Sequence, residues 1–132
     1  MKYPKVCLSL LLLLSVPAGT LFAAASGKKE YLANCARCHG GDGKGDVPEM
    51  TAVKGYRSVD LTKLKKHNAG VFPRDFVYEA IEGDKRFSAH FIGDMPRWGR
   101  RFRAEAEPGH DEAQVKRKIS DLVDYIESIQ AN

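Results

Sequence analysis

The chain has 132 residues, 43% of them apolar, and a formal charge of +4, which suits one domain with a modest core. Residues 1–25 hold two lysines and no acids, so without them the charge falls to +2. That is too little to argue for nucleic acid as a partner.

The N-terminal stretch reads as a targeting segment. Lys2 and Lys5 flank the start of an apolar run, VCLSLLLLLSV, Pro17 and Gly19 should break any helix, and Ala23-Ala24-Ala25 supplies small residues for a signal peptidase. Cleavage is expected after Ala25, giving a signal peptide of residues 1–25 and a periplasmic domain of residues 26–132. The competing reading is a retained anchor, because the uncharged run from Val6 to Ala25 is long enough to span a bilayer. Only in that case would the protein associate with a membrane. The proline–glycine break and the alanine triplet favour cleavage, and Lys5-Val6 before Cys7 is unlike a lipoprotein cleavage box.

A first helix is expected from about Lys28 to Cys38, with Gly27, Tyr31 and Cys35 four apart on one face. It leads into NCARCHGGDGKG, residues 34–45. Cys35, Cys38 and His39 form the C-x-x-C-H pattern of c-type haem attachment. Two thiols three positions apart on a helical turn can each add to one vinyl group of a porphyrin, and the imidazole next to the second is then held beneath the iron. Export fits, since this attachment takes place outside the cytoplasm. A thioredoxin-like C-x-x-C would need a preceding strand, and structural zinc normally needs a fourth ligand. His67, His90 and His110 are scattered, and a plain disulfide would leave His39 idle. Gly40, Gly41, Gly43 and Gly45 allow the backbone to approach a flat cofactor closely. The stretch matches neither a Walker loop nor an EF-hand loop.

Further along, Asp60 to Lys66 is expected to form a two-turn helix ended by Asn68 and Gly70. Pro73 suits a first helical position, with Phe76, Val77, Ala80 and Ile81 on one face before Gly83 stops the helix. Asp111 to Ile129 should be the longest helix, with Val115, Ile119, Leu122, Tyr125, Ile126 and Ile129 as its apolar stripe. No strand alternation or repeat is evident, which points to an all-α domain. Candidates for a second axial ligand are Met50, Met95, His67, His90 and His110. Met95 is favoured: it lies 56 residues beyond His39, Pro96 disfavours helix there, and Gly93 and Gly99 bracket an extended loop. Met50 fits core packing better, and His90 is the nearest rival in sequence.

The motifs CARCHG, GDGKG, Asp60-Leu61-Thr62 and Gly93-Asp94-Met95-Pro96-Arg97-Trp98-Gly99 together resemble a class I, monohaem cytochrome c over nearly all of the mature chain. The resemblance implies short helices packed around one covalently bound haem c, attached at Cys35 and Cys38 and ligated by His39 and Met95. It also implies that the N- and C-terminal helices cross, with Gly27 and Tyr31 meeting Leu122 and Tyr125. Trp98 stands where the family's M-P-x-W-G segment places an aromatic beside the cofactor. Tyr56 is a further candidate donor to the propionates, and Arg57 could offset their charge.

With His/Met ligation the iron has no open position, leaving one-electron exchange as the expected activity and no enzymatic role. Redox proteins, including any with acidic docking surfaces, are the expected partners. Arg97, Arg100, Arg101 and Arg103 would steer them if close to the haem edge, or else form a solvated basic loop. The protein is expected to be a respiratory carrier, monomeric or part of a redox complex. Two alternatives stand beside the free carrier: an electron-transfer subunit of a dehydrogenase or oxidase complex, and a haem sensor or enzyme with a displaceable sixth ligand.

Overall fold

The computed structural model describes residues 18–55, 57–83, 95–106 and 111–131. Among these, the regular structure is helical and there is no strand, as an all-α domain requires. The helices are α1 (Ala18–Asn34), α2 (Ala36–His39), α3 (Pro48–Lys54), α4 (Leu64–His67), α5 (Arg74–Glu82), α6 (Trp98–Glu105) and α7 (Asp111–Ser128), with a 3-10 turn at Leu61–Lys63 before α4.

The fold is organised by α7, against which α1, α5 and α6 all pack. Its apolar stripe is the one anticipated: Val115, Ile119, Leu122, Tyr125 and Ile126 are buried, and Ile129 packs at the edge. The crossing with α1 is close because Gly27 has no side chain. A methyl group there would overlap the Asp121 carbonyl and come within 2.9 Å of the Tyr125 Cβ. One turn on, the fully buried Tyr31 stacks on Tyr125 with ring centroids 5.1 Å apart. Lys118 of α7 adds an ion pair to Glu30 of α1 at 3.4 Å.

Several expected boundaries shift. The first helix is already formed at Ala18, ahead of the expected Lys28, and contains Gly19, so that glycine does not break it. A run rich in alanine has enough helix propensity to carry one glycine. The helix also stops earlier, at Asn34, and a new turn starts at Ala36 after Cys35 adopts φ −109°. Pro73 sits one position before the first residue of α5. Val77 and Ile81 are buried as expected, but Phe76 is 46% exposed and faces away from that core. Met50, expected to pack in the core, is only half-buried and lies outside the core cluster in α3, which has Pro48 in its first turn and ends on the left-handed Gly55. The anticipated 60–66 helix forms with a tighter first turn, capped by Asp60, whose Oδ1 accepts from the Thr62 amide at 3.0 Å and its hydroxyl at 2.6 Å.

The arginine-rich stretch after Trp98 is a helix, α6, not a loop. Trp98 and Phe102 sit four apart on its buried face, ring centroids 5.6 Å from each other, and pack it into the core. Its arginines are partly neutralised. Arg101 pairs with Glu105 at 3.1 Å, and Arg103 pairs with Glu82 of α5 and with Glu112 of α7.

Candidate functional site

The Cys35–His39 turn hangs from the buried end of α1. The Cys35 amide donates to the Tyr31 carbonyl at 2.8 Å, and the Cys35 carbonyl accepts from both Cys38 (3.1 Å) and His39 (2.9 Å). These bonds place both cysteines and the histidine on one tight turn. Both thiols are free and partly buried. Burial, with help from the Glu30 charge, pushes the Cys35 thiol up to about 12.

The turn is locked from below. The Tyr31 hydroxyl donates to the Gly40 carbonyl at 2.7 Å, so the aromatic at the α1–α7 crossing also fixes the residue after His39. Gly45 donates to the His39 carbonyl at 2.8 Å, and Gly43 accepts from the Leu61 amide at 2.8 Å. Gly43 and Gly45 both have positive φ, +79° and +69°. At each a side chain would collide: with Ile129 at Gly43, and with the Ser58 carbonyl at Gly45. The glycines therefore let residues 58–61 lie directly against the loop.

That approach has a chemical result at His39. Its Nδ1 lies 3.3 Å from the Val59 carbonyl oxygen. A carbonyl can only accept, so Nδ1 carries the proton and donates, leaving a lone pair on Nε2. Burial lowers the imidazole's affinity for a second proton, more than the Val59 bond raises it. The ring is thus neutral, oriented, and able to offer Nε2 to a metal, with the outer-shell acceptor such ligands usually have. The segment that follows Val59 is in turn held by the C-terminus. Gln130 Nε2 donates to the Leu61 carbonyl at 2.7 Å, its Oε1 accepts from the Lys65 amide at 2.8 Å, and the Ala131 amide donates to the Thr62 carbonyl at 2.8 Å.

The remaining candidates fall elsewhere. Met95 precedes α6, outside the apolar core and 41% exposed. Trp98, three residues on, is buried against Phe102, with the Arg101 guanidinium 5.1 Å from its ring. Arg57 is engaged by Asp46 at 2.8 Å. His67 is exposed at the end of α4. Tyr56, His90, His110, Gly93 and Asp94 lie outside the described residues, as do residues 1–17, the greater part of the expected targeting segment. Sequence reasoning missed the Val59 carbonyl and Gln130. Neither has a motif, since one is a backbone group and the other a tail residue placed by the fold.

Two free thiols and a neutral imidazole with a free Nε2, all on one turn, fit a haem attached through thioethers and ligated by the histidine. Among the described residues no group of three or more His, Cys, Asp or Glu side chains converges to hold a bare metal ion. The family described as Cytochrome c matches the chain over residues 24–130. No match was found among curated proteins or among solved structures.

Proposed function

The chain belongs to the cytochrome c family, and from that membership we propose a periplasmic one-electron carrier with haem attached at Cys35 and Cys38 and held axially by His39 and Met95. Family members bind haem c covalently, one group suiting a domain of this size, and it supplies reversible one-electron exchange. The observation that carries the reading is the Val59 bond, which places the proton of the neutral His39 ring on Nδ1 and leaves Nε2 unprotonated beside two free thiols.

The protein's own residues then have distinct tasks. Cys35 and Cys38 tether the cofactor, so the fold need not retain it by packing alone. His39 supplies a nitrogen ligand whose basicity is raised by its bond to Val59. Met95 supplies a thioether, which favours the reduced iron and leaves no coordination position open. Arg97 and Arg100 have no ion pair among the described residues, so they remain available to an acidic redox partner. The reading of residues 1–25 as a signal peptide supports the periplasmic location, and no helix among the described residues is long and apolar enough to cross a membrane.

Mass spectrometry of protein matured with a haem-attachment system should give residues 26–132 plus one haem that survives acid–acetone extraction. A colourless polypeptide at its bare mass would refute attachment. Met95→Ala should keep the haem but lose the weak far-red charge-transfer band, bind carbon monoxide when reduced, and have a lower potential. An unchanged spectrum would remove Met95 from the ligand set.

A further inference from the structure

The two ends of the segment that carries Met95 meet in space. Gly83 ends α5 at φ +82°, and a methyl group there would come within 2.8 Å of the Arg97 Cα, Cβ and Cγ. The chain thus leaves α5 and enters α6 at nearly the same point. Glu82 lies beside that point. Its carboxylate rests so closely on Gly99 that a methyl group at Gly99 would overlap both carboxylate oxygens. One oxygen, Oε1, accepts from Arg103 Nη2, and Arg103 Nε donates to Glu112 of α7 at 3.0 Å. The other, Oε2, is buried with no hydrogen-bond partner among the described residues. A buried carboxylate oxygen without a donor is costly and calls for an explanation beyond packing.

We propose that Glu82, Gly99 and Arg103 form a clasp that positions Met95 for the iron, an inference that rests on Met95 being the sixth ligand. Met95 is exposed and outside the core, so its own packing does not fix the place of its sulfur. Pro96 restricts the chain on its C-terminal side. What remains to set the direction of the backbone at Met95 is the start of α6. The clasp fixes α6 at both ends: its start to α5 through Glu82 against Gly99, and its last turn to α7 through Arg103 and Glu112. Since α1 crosses the same α7 and carries the Cys35–His39 turn, the clasp refers both halves of the ligand set to one helix. Glu82 and Arg103 are positioning residues here. Gly99 is required because any side chain would displace the carboxylate.

The test is imidazole titration of the haem-bearing protein, following loss of the far-red band as Met95 is displaced. Loosening one partly exposed charged contact shifts such an exchange by roughly fivefold. Glu82→Gln keeps the shape and removes the charge. Gly99→Ala pushes the carboxylate aside while favouring helix, so its resistance to denaturant should hold or rise. Arg74→Ala is the control: it unpairs Asp124 and Glu127 on α7, away from the clasp, and should lower denaturant resistance only. Both clasp variants should bind imidazole about fivefold more tightly than the parent, and Arg74→Ala no more tightly. Wild-type imidazole affinity in both clasp variants overturns the clasp, as does an equal shift in Arg74→Ala. Met95→Ala separates the two readings. Persistence of its far-red band overturns the ligand assignment and the clasp together, whereas loss of the band with unshifted clasp variants overturns the clasp alone.

Discussion

Gly45 and Gly55 offer a matched pair of perturbations at the loop that orients His39. Both have left-handed backbones, φ +69° and +74°, so alanine at either should cost about 1–2 kcal/mol from conformation alone. They differ in surroundings. A methyl group at Gly55 meets nothing within 4 Å, whereas at Gly45 it would overlap the Ser58 carbonyl oxygen and sit 3.1 Å from that of Val59. These are backbone atoms and cannot swing aside, so residues 58–59 must retreat and the 3.3 Å bond from His39 Nδ1 to Val59 is lost. Overpacking of this kind costs about 1–3 kcal/mol, and the hydrogen bond about 1 kcal/mol more. Gly45→Ala should therefore be about 2–4 kcal/mol less stable than Gly55→Ala. Guanidinium unfolding of the haem-bearing variants measures this, provided their m values agree. The potential gives a second readout. Without its acceptor the imidazole is a weaker donor to iron, so Gly45→Ala should have the higher potential. Equal midpoints and equal potentials would refute the idea that glycine at this position brings Val59 to His39.

Gly27→Ala should destabilise despite a gain of about 1 kcal/mol in helix propensity, because the Asp121 carbonyl blocks the new methyl group. A thermal melt no lower than the parent's would show that α1 and α7 separate freely. Tyr31→Phe keeps the ring against Tyr125 but leaves the Gly40 carbonyl only the 3.2 Å bond from the Gly43 amide, at a cost of about 1 kcal/mol. Amide exchange in residues 40–45 should quicken, and unchanged exchange would contradict the lock. Asp60 is held down to about 2 by Lys63 first and then Thr62. A carboxyl lowered on folding contributes stability above its unfolded value, about 4, that is lost as pH falls towards 2. Asp60→Asn should therefore be less stable at neutral pH and converge with the parent near pH 2, whereas parallel stability curves would show that the linkage is absent.

The parts of the fold legible in the sequence are those set by local spacing. Residues 115–126 announce α7 because the apolar positions recur at helical intervals over several turns, and the C-x-x-C-H run fixes its own chemistry in five residues. The crossing at Gly27 and Tyr31 came from family resemblance, and the close approach to Asp121 and Tyr125 supports it. Helix α6 was hidden by its three arginines, which read as surface charge, although Trp98 and Phe102 four apart gave a usable signal. Helix α3 had its own signals in Pro48, Glu49 and Gly55, too short a span for periodicity to reveal. The partners of His39 and Glu82 could not be read at all. The Val59 carbonyl depends on where a loop returns, and Glu82 meets Gly99 and Arg103 only after α5 and α6 have packed.

Trp98 is the sole tryptophan of the chain, and it sits buried at the base of α6, where α5 and α7 converge. Tryptophan fluorescence therefore comes from a single address. A bound haem absorbs that emission, so light should return only when this junction parts from the cofactor. Opening beside Met95 can thus be watched without a label, and timed against the loss of helix signal from the molecule as a whole.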